Sequence, residues 1–209
     1  MYDLEEQETV DAIKAWWKAN GRWVWAALLA LAVGYGAARG WQYYRAGQEA
    51  KAGVLFDAVR TAAQQGDAAK TLQAAKALQS AQPSSPLAPR GALISAAVSH
   101  AKGESAPARQ ELEWVISNAK EPSLTDLAHL RLAGLLADQK KYDEALRQLD
   151  GARLPDFIPM TQDLRGDILL AQGKTKEARA AYQAALEKSK DGEVMHQIAK
   201  SKLDALGGQ

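Results

Sequence analysis

Three histidines and a pair of closely spaced aspartates are the residues with which this chain could do chemistry. His100, His129 and His196 would bind a metal or relay protons only beside a second ligand or a carboxylate at helical spacing. There is no H-E-x-x-H, and each of the three reads as standing alone. Asp163 and Asp167 lie four residues apart, on one helix face, the step at which two carboxylates can divide acid and base roles. Arg165 falls between them and no partner motif accompanies them, so the pair reads as a solvated helix face. Ser84, Ser85, Ser95 and Ser99 lack the G-x-S-x-G turn of an activated nucleophile. Gly34-Tyr35-Gly36 has no strand before it and cannot serve as a phosphate loop. With no cysteine in the chain, thiol chemistry, disulfides and cysteine-based zinc sites are excluded. The expectation is a protein that is not an enzyme, with no catalytic residues, no metal and no cofactor.

Composition says which elements are available to position anything else. The chain has 209 residues, which at about 150 per domain is one domain or one domain with an appendage. Its 26 Lys and Arg balance 25 Asp and Glu, and the formal net charge of +1 argues against a nucleic-acid partner. Hydrophobic residues reach 47% but aromatic ones only 7%, the apolar surplus being Ala and Leu. That mixture favours packed helices over strands, which draw on β-branched and aromatic side chains. The mean hydropathy of −0.33 describes a water-soluble chain, and one stretch departs from it.

Residues 23–38 carry no charge, and from Trp23 to Tyr44 only Arg39 interrupts an apolar run of 22 residues. At 1.5 Å per residue this is about 33 Å of helix, enough for a hydrocarbon core of about 30 Å. Trp23 and Trp25 at one end, and Trp41, Tyr43 and Tyr44 at the other, are the amphipathic rings that sit at membrane interfaces. A buried core helix would rarely carry such belts, and a cleaved signal would open on basic residues rather than Asp3, Glu5, Glu6, Glu8 and Asp11. The expectation is an uncleaved single-pass anchor in a lipid bilayer. Lys14, Lys18 and Arg22 on one side against Arg39, Arg45 and Lys51 on the other leave its orientation undecided by charge. Small residues form two ridges at the four-residue step, Ala26, Ala30 and Gly34, and Gly36 and Gly40; such ridges let a second transmembrane helix approach. Ahead of the anchor, Val10, Ile13 and Trp17 share one side of a helix, with Asn20-Gly21 as a break or kink.

Beyond Arg45 the chain is a series of Ala- and Leu-rich helical windows, 12 to 20 residues long by their punctuation. The breaks fall at 65–67, 82–90, 102–104, 121–123, 151–159, 172–174 and 191–192. Two windows repeat. Ala133, Leu136 and Ala145 recur 33 residues later as Gly166, Leu169 and Ala178, close to the 34-residue tetratricopeptide period. Weaker copies centre on Gly103 and Gly66, and Val194 to Leu206 suits a capping helix. The fold class expected is all-α: one N-terminal transmembrane helix followed by a tetratricopeptide-like α-solenoid. Its parts would be a tail over 1–22, an anchor over 23–44 and a repeat domain over 45–209. In such an array the first helix of each repeat lines a concave groove, which places Leu130, Arg131, Gly134, Asp138, Asp163 and Asp167 there as candidate contact residues.

The ordered motifs are similar to those of the YfgM family of Gram-negative inner-membrane proteins. The resemblance runs from the acidic start Tyr2 to Val10, through Ile13-Lys14-Ala15-Trp16-Trp17 and the exit Gly40-Trp41-Gln42-Tyr43-Tyr44-Arg45. It continues in Leu130-Arg131-Leu132-Ala133, Asp163-Leu164-Arg165-Gly166-Asp167, Gly173-Lys174 and Ala178 to Tyr182. It implies a cytoplasmic N-terminus, a single span and a periplasmic repeat domain. It also implies association with the SecYEG translocon and a PpiD-type periplasmic chaperone, in the service of exported client proteins. A scaffold for envelope assembly that holds one fixed partner is the alternative, and pull-down stoichiometry separates the two.

Overall fold

A computed structural model describes residues 2–207, with side chains from residue 8 onward. The acidic positions Asp3, Glu5 and Glu6 therefore contribute only helical backbone, their side chains lying outside the described residues. Among the described residues there are nine α-helices, one 3-10 turn and no strand. They are α1 (Tyr2–Gln64), α2 (Ala68–Ala81), α3 (Leu87–Ala101), α4 (Ser105–Asn118), α5 (Pro122–Asp138), α6 (Tyr142–Leu149), a 3-10 turn (Pro155–Phe157), α7 (Ile158–Ala171), α8 (Thr175–Lys188) and α9 (Val194–Ala205). The chain divides into two units, one ending at Ala50 and one beginning at Lys51.

The first unit is helix throughout, and Asn20-Gly21 does not break it. Asn20 Nδ2 donates to the Trp16 carbonyl at 3.1 Å, and the Trp17 indole lies over Gly21, so side chains absorb what the pair would otherwise unwind. Trp23, Trp25, Leu29, Leu31, Trp41 and Tyr43 are all exposed. Arg22 stacks on the Trp23 ring at 5.6 Å, and Arg39 Nε donates to Tyr35 Oη at 3.0 Å, as basic groups bordering an apolar stretch do. Among the described residues α1 is the one helix long and apolar enough to cross a membrane.

The second unit takes the end of α1 as its first helix. Ala52 and Val59 are sealed against Ala75 and Leu78 of α2 and Ala88 of α3. From there sequential helices pack on one another through α9. The turns inside the helix pairs, Gly66, Gly103, Lys140 and Gly173, all have positive φ. Glycine adopts that conformation freely, and Lys140, at φ 59°, is the non-glycine exception. Four helix pairs therefore precede α9.

Two expected breaks are narrower than their proline content suggests. α3 starts at Leu87 with Pro86 as its N-cap residue and Pro89 inside its first turn, and α7 starts at Ile158 with Pro159 next. A first helical turn has no amide partners to lose, so proline fits there. Beyond α1 the helices run from 12 to 17 residues, within the expected windows, except α6 at eight.

The core explains the repeat. Ala133 and Ala145 are fully buried where α5 crosses α6, and Gly166 and Ala178 take the same places in α7 and α8. The last crossing is the tightest: a Cβ on Gly166 would stand 2.4 Å from Tyr182 Cε1. Tyr182 is the largest fully buried side chain, so glycine is required beneath it.

Candidate functional site

The first helices of successive pairs surround a cleft of about 630 Å³. α5 supplies a stripe of Arg131, Gly134, Leu135 and Asp138, and α7 supplies Leu164, Asp167, Ile168 and Ala171. Both follow the i, i+3, i+4, i+7 pattern of one helix face, and the second is the first moved by the 33-residue repeat. Ala96, Ala97 and His100 of α3 close one side, Leu112 of α4 and Tyr142 of α6 the back. The walls are mostly apolar and the polar atoms few, the usual make-up of a binding hollow.

Four of the six expected groove residues, Arg131, Gly134, Asp138 and Asp167, line this cleft, and two do not. Leu130 packs against the main core, and Asp163 is only 9% exposed. Each sits one position before a cleft residue, and a step of one turns a helix by about 100°, from one face to another. His100, Tyr142, Leu164 and Ile168 were missed. For the α7 pair the signal was present: adding 33 to Arg131 and Leu135 reaches Leu164 and Ile168.

The polar members differ in how far they are already engaged. Arg131 Nη1 donates to the Leu93 carbonyl at 3.3 Å, and burial lowers its pKa. His100 Nε2 stands 3.5 Å from Asp138 Oδ2, pairing α3 with α5 across the cleft. Gly134 leaves the middle of the α5 wall bare, since a Cβ there would meet nothing within 4 Å.

Asp167 belongs to a second arrangement, which replaces the solvated face expected for it and Asp163. Lys202 of α9 donates to Asp163 Oδ2 at 2.9 Å and to Asp167 Oδ1 and Oδ2 at 2.7 and 2.8 Å. Tyr182 Oη donates to Asp167 Oδ1 at 2.7 Å, and the Lys202 ammonium lies 5.3 Å from the Tyr182 ring. Burial raises the Asp163 pKa against the pull of Lys202. Burial works against the charge of Lys202, yet the two carboxylates carry its pKa upward. Burial, then the Asp167 carboxylate, holds the Tyr182 phenol well above its usual range. The cluster fastens α9 over α7 and α8, aided by Arg179, which donates to the Leu206 and Gly207 carbonyls.

The other histidines are likewise engaged structurally. His129 Nδ1 pairs with Gln148 Oε1 at 2.9 Å beside Gly151, and His196 lies 3.6 Å from Asp191. Among the described residues no three His, Asp or Glu side chains converge as metal ligands do. In the first unit, Ala26, Ala30, Gly34, Gly36 and Gly40 are all exposed, and a Cβ on any of the three glycines would meet open space.

Known proteins resemble this chain over nearly its whole length. Residues 14–208 match the family model of a tetratricopeptide repeat-like domain. A Neisseria gonorrhoeae protein named ancillary SecYEG translocon subunit is 35% identical over 204 residues, 97% of this chain and 98% of its own length. A Haemophilus influenzae protein of the same name is 27% identical over 208 residues, 98% of this chain and 99% of its own. Among solved structures, that of Pseudomonas aeruginosa pilF superposes with a TM-score of 0.55 at 17% identity, covering 78% of this chain and 79% of that one. At that identity the likeness speaks for the helical-repeat fold alone.

Proposed function

This chain belongs to the family of ancillary SecYEG translocon subunits, and from that premise we propose that it is a non-enzymatic, membrane-tethered adaptor that assists exported proteins at the Sec translocon. In this reading α1 spans the inner membrane over residues 23–44, the N-terminal 22 residues are cytoplasmic, and residues 45–209 form a periplasmic repeat domain. The small-residue ridges of Ala26, Ala30, Gly34, Gly36 and Gly40 would meet a transmembrane helix of the translocon. The cleft around Arg131, Gly134, Asp138 and Asp167 would receive client segments or a PpiD-type chaperone.

The observation that carries the reading is that one chain holds an exposed apolar helix of spanning length and an open, largely apolar cleft. A tether raises the local concentration of the cleft for anything emerging nearby, so contacts that are weak one at a time suffice. Polar groups near the cleft of the kind that do acid–base chemistry are tied into the Lys202 cluster instead. That supports binding as the task.

Photo-crosslinkers at Ala97 and Ala171, two exposed cleft positions, and at Gly34 test it in intact cells during export. SecY, a PpiD-type chaperone or nascent exported chains should be captured; a single stoichiometric partner unrelated to export would favour the envelope scaffold instead. Protease added to spheroplasts should digest the part beyond Arg45. Survival of that part would reverse the orientation.

A further inference from the structure

The cleft has a polarity of its own. Arg131, Gly134 and Asp138 follow one another at successive turns of α5, a cation, a gap and an anion. Both acids are already partnered: Asp138 faces His100 at 3.5 Å, and Asp167 accepts from Lys202 and Tyr182. Arg131 is not. Its guanidinium gives a single hydrogen bond, to a backbone carbonyl, and no carboxylate among the described residues lies within 4 Å of it. A guanidinium carries five N–H donors in a fork that fits a carboxylate in two parallel bonds, so most of its capacity here is unspent. Beside it lies the hollow over Gly134, walled by Leu112, Tyr142, Leu164 and Ile168, where no side chain of the cleft wall intrudes. Its volume of about 630 Å³ is that of a site for a few side chains.

We propose that this cleft binds a peptide segment carrying a large apolar side chain next to a carboxylate, the side chain filling the hollow over Gly134 and the carboxylate pairing with Arg131. The proposal rests on the adaptor reading above and names the chemistry of what the adaptor holds. Charge complementarity selects the acidic neighbour: a basic one would face Arg131, and Asp167 is already engaged by Lys202 and Tyr182. An apolar segment without the acid would cover an exposed cation and leave it unpaired.

The test uses the full chain in nanodiscs and three fluorescein-labelled peptides in a Gly-Ser background with amidated ends. One carries Leu-Phe-Glu at its centre, the second Leu-Phe-Gln, the third Ser-Ser-Glu. Anisotropy titration should give the first at least about tenfold tighter binding than the second, the scale of a charge-assisted hydrogen bond. The third should bind no better than background. Arg131→Gln should erase the preference for Glu over Gln without further loss on the Gln peptide, and Gly134→Trp should abolish binding of the first two. Equal binding of the Glu and Gln peptides, a preference that survives Arg131→Gln, or no binding of the Leu-Phe-Glu peptide overturns the assignment. A dimer dissolved by Gly134→Trp overturns it too, by placing a second copy in the cleft. Should Gly134→Trp unfold the domain, the two acid-amide peptides on the unaltered chain and on Arg131→Gln still decide. Loss of export crosslinks with the peptide preference intact would strike the translocon reading alone. The reverse result would strike the cleft assignment alone.

Discussion

Two stretches of this chain place small residues at the same four-residue step and treat them in opposite ways. Ala88, Ala92 and Ala96 of α3 are sealed, at 0%, 0% and 2% exposure. Ala26, Ala30 and Gly34 of α1 are exposed, and so are the leucines and tryptophans around them. In α3 the ridge lets α2 and α4 come close, and larger neighbours such as Leu78 and Leu112 fill the spaces beside it. In α1 no other described part of its unit does this, because the described residues of the unit are one helix. A small-residue ridge is a permission to approach. What accepts it, a helix of the same chain or a lipid or helix outside it, depends on what surrounds it.

Glycine gives the sharpest way to break that comparison, because Gly166 and Gly34 differ only in surroundings. Gly166→Ala drives a Cβ to within 2.4 Å of the buried Tyr182 ring. Overpacking of this kind costs about 3 kcal/mol, and the repeat domain should melt markedly earlier by circular dichroism of the full chain. Gly34→Ala meets nothing within 4 Å and should leave that transition where it was. Equal losses at both positions would mean that α1 is packed as tightly as α7.

Next in size is the clasp on α9. Lys202→Met keeps the length of the side chain and removes the charge, leaving Asp163 and Asp167 facing each other with Tyr182 Oη as the one remaining donor. Loss of a buried partner costs about 3–5 kcal/mol, but Asp167 is 44% exposed and water moderates the penalty, so about 2 kcal/mol is expected. Hydrogen exchange should show it: α8 and α9 lose protection first while α3 to α5 keep theirs. Uniform loss across all helices would deny α9 its role as a separate cap.

These residues also mark where sequence reasoning stopped. The turns at Gly66, Gly103 and Gly173, the crossings at Ala133, Ala145, Gly166 and Ala178, and the spanning length of α1 were legible because each is local or follows the 33-residue period. Arg131, Gly134 and Asp138, placed by that same register, line the cleft. The Lys202 clasp was not, since its partners lie 35 and 39 residues away and no repeat position relates them. Lys140 hid a glycine-type turn behind an ordinary side chain. Leu130 and Asp163 were each misplaced by one residue, which no period can resolve once the helix face is uncertain by a single step.

A smaller effect reverses with pH. Glu111 of α4 is 2% exposed, accepts from Gln79 Nε2 at 2.6 Å, and has its pKa raised by burial against the opposing pull of Gln79 and Lys76. A carboxylate whose folded pKa exceeds its unfolded one adds stability below the unfolded value and gives it up as pH rises through the folded one. Glu111→Gln keeps an acceptor for Gln79 and removes the charge. It should therefore raise the melting point at pH 7 by the equivalent of about 1 kcal/mol, the ordinary scale of a single substitution, and the gain should fade toward pH 4. A variant less stable than the parent at pH 7 would show that the charge is wanted there.

The least effect on stability, and the most on partnership, is expected in the anchor. Leucine at Ala30 and Gly34 together adds bulk to a ridge that touches nothing within the first unit, so the melting point of the repeat domain should stay within about 0.5 kcal/mol of the parent, as for other exposed positions. Lipid accepts leucine as readily as alanine, so insertion should also be unchanged. A helix that had docked on the ridge would be held off by the new side chains, because such contacts depend on close backbone approach. Copurification of the translocon from detergent extracts should then fall sharply while membrane fractionation and the circular dichroism spectrum stay constant. The matched change in α3, Ala92→Leu, should do the reverse, lowering the melting point by about 1–3 kcal/mol and affecting copurification only as far as the fold is lost. If the Ala30 and Gly34 double variant copurifies like the parent, the ridge in α1 faces only lipid, and the translocon must be held through the repeat domain.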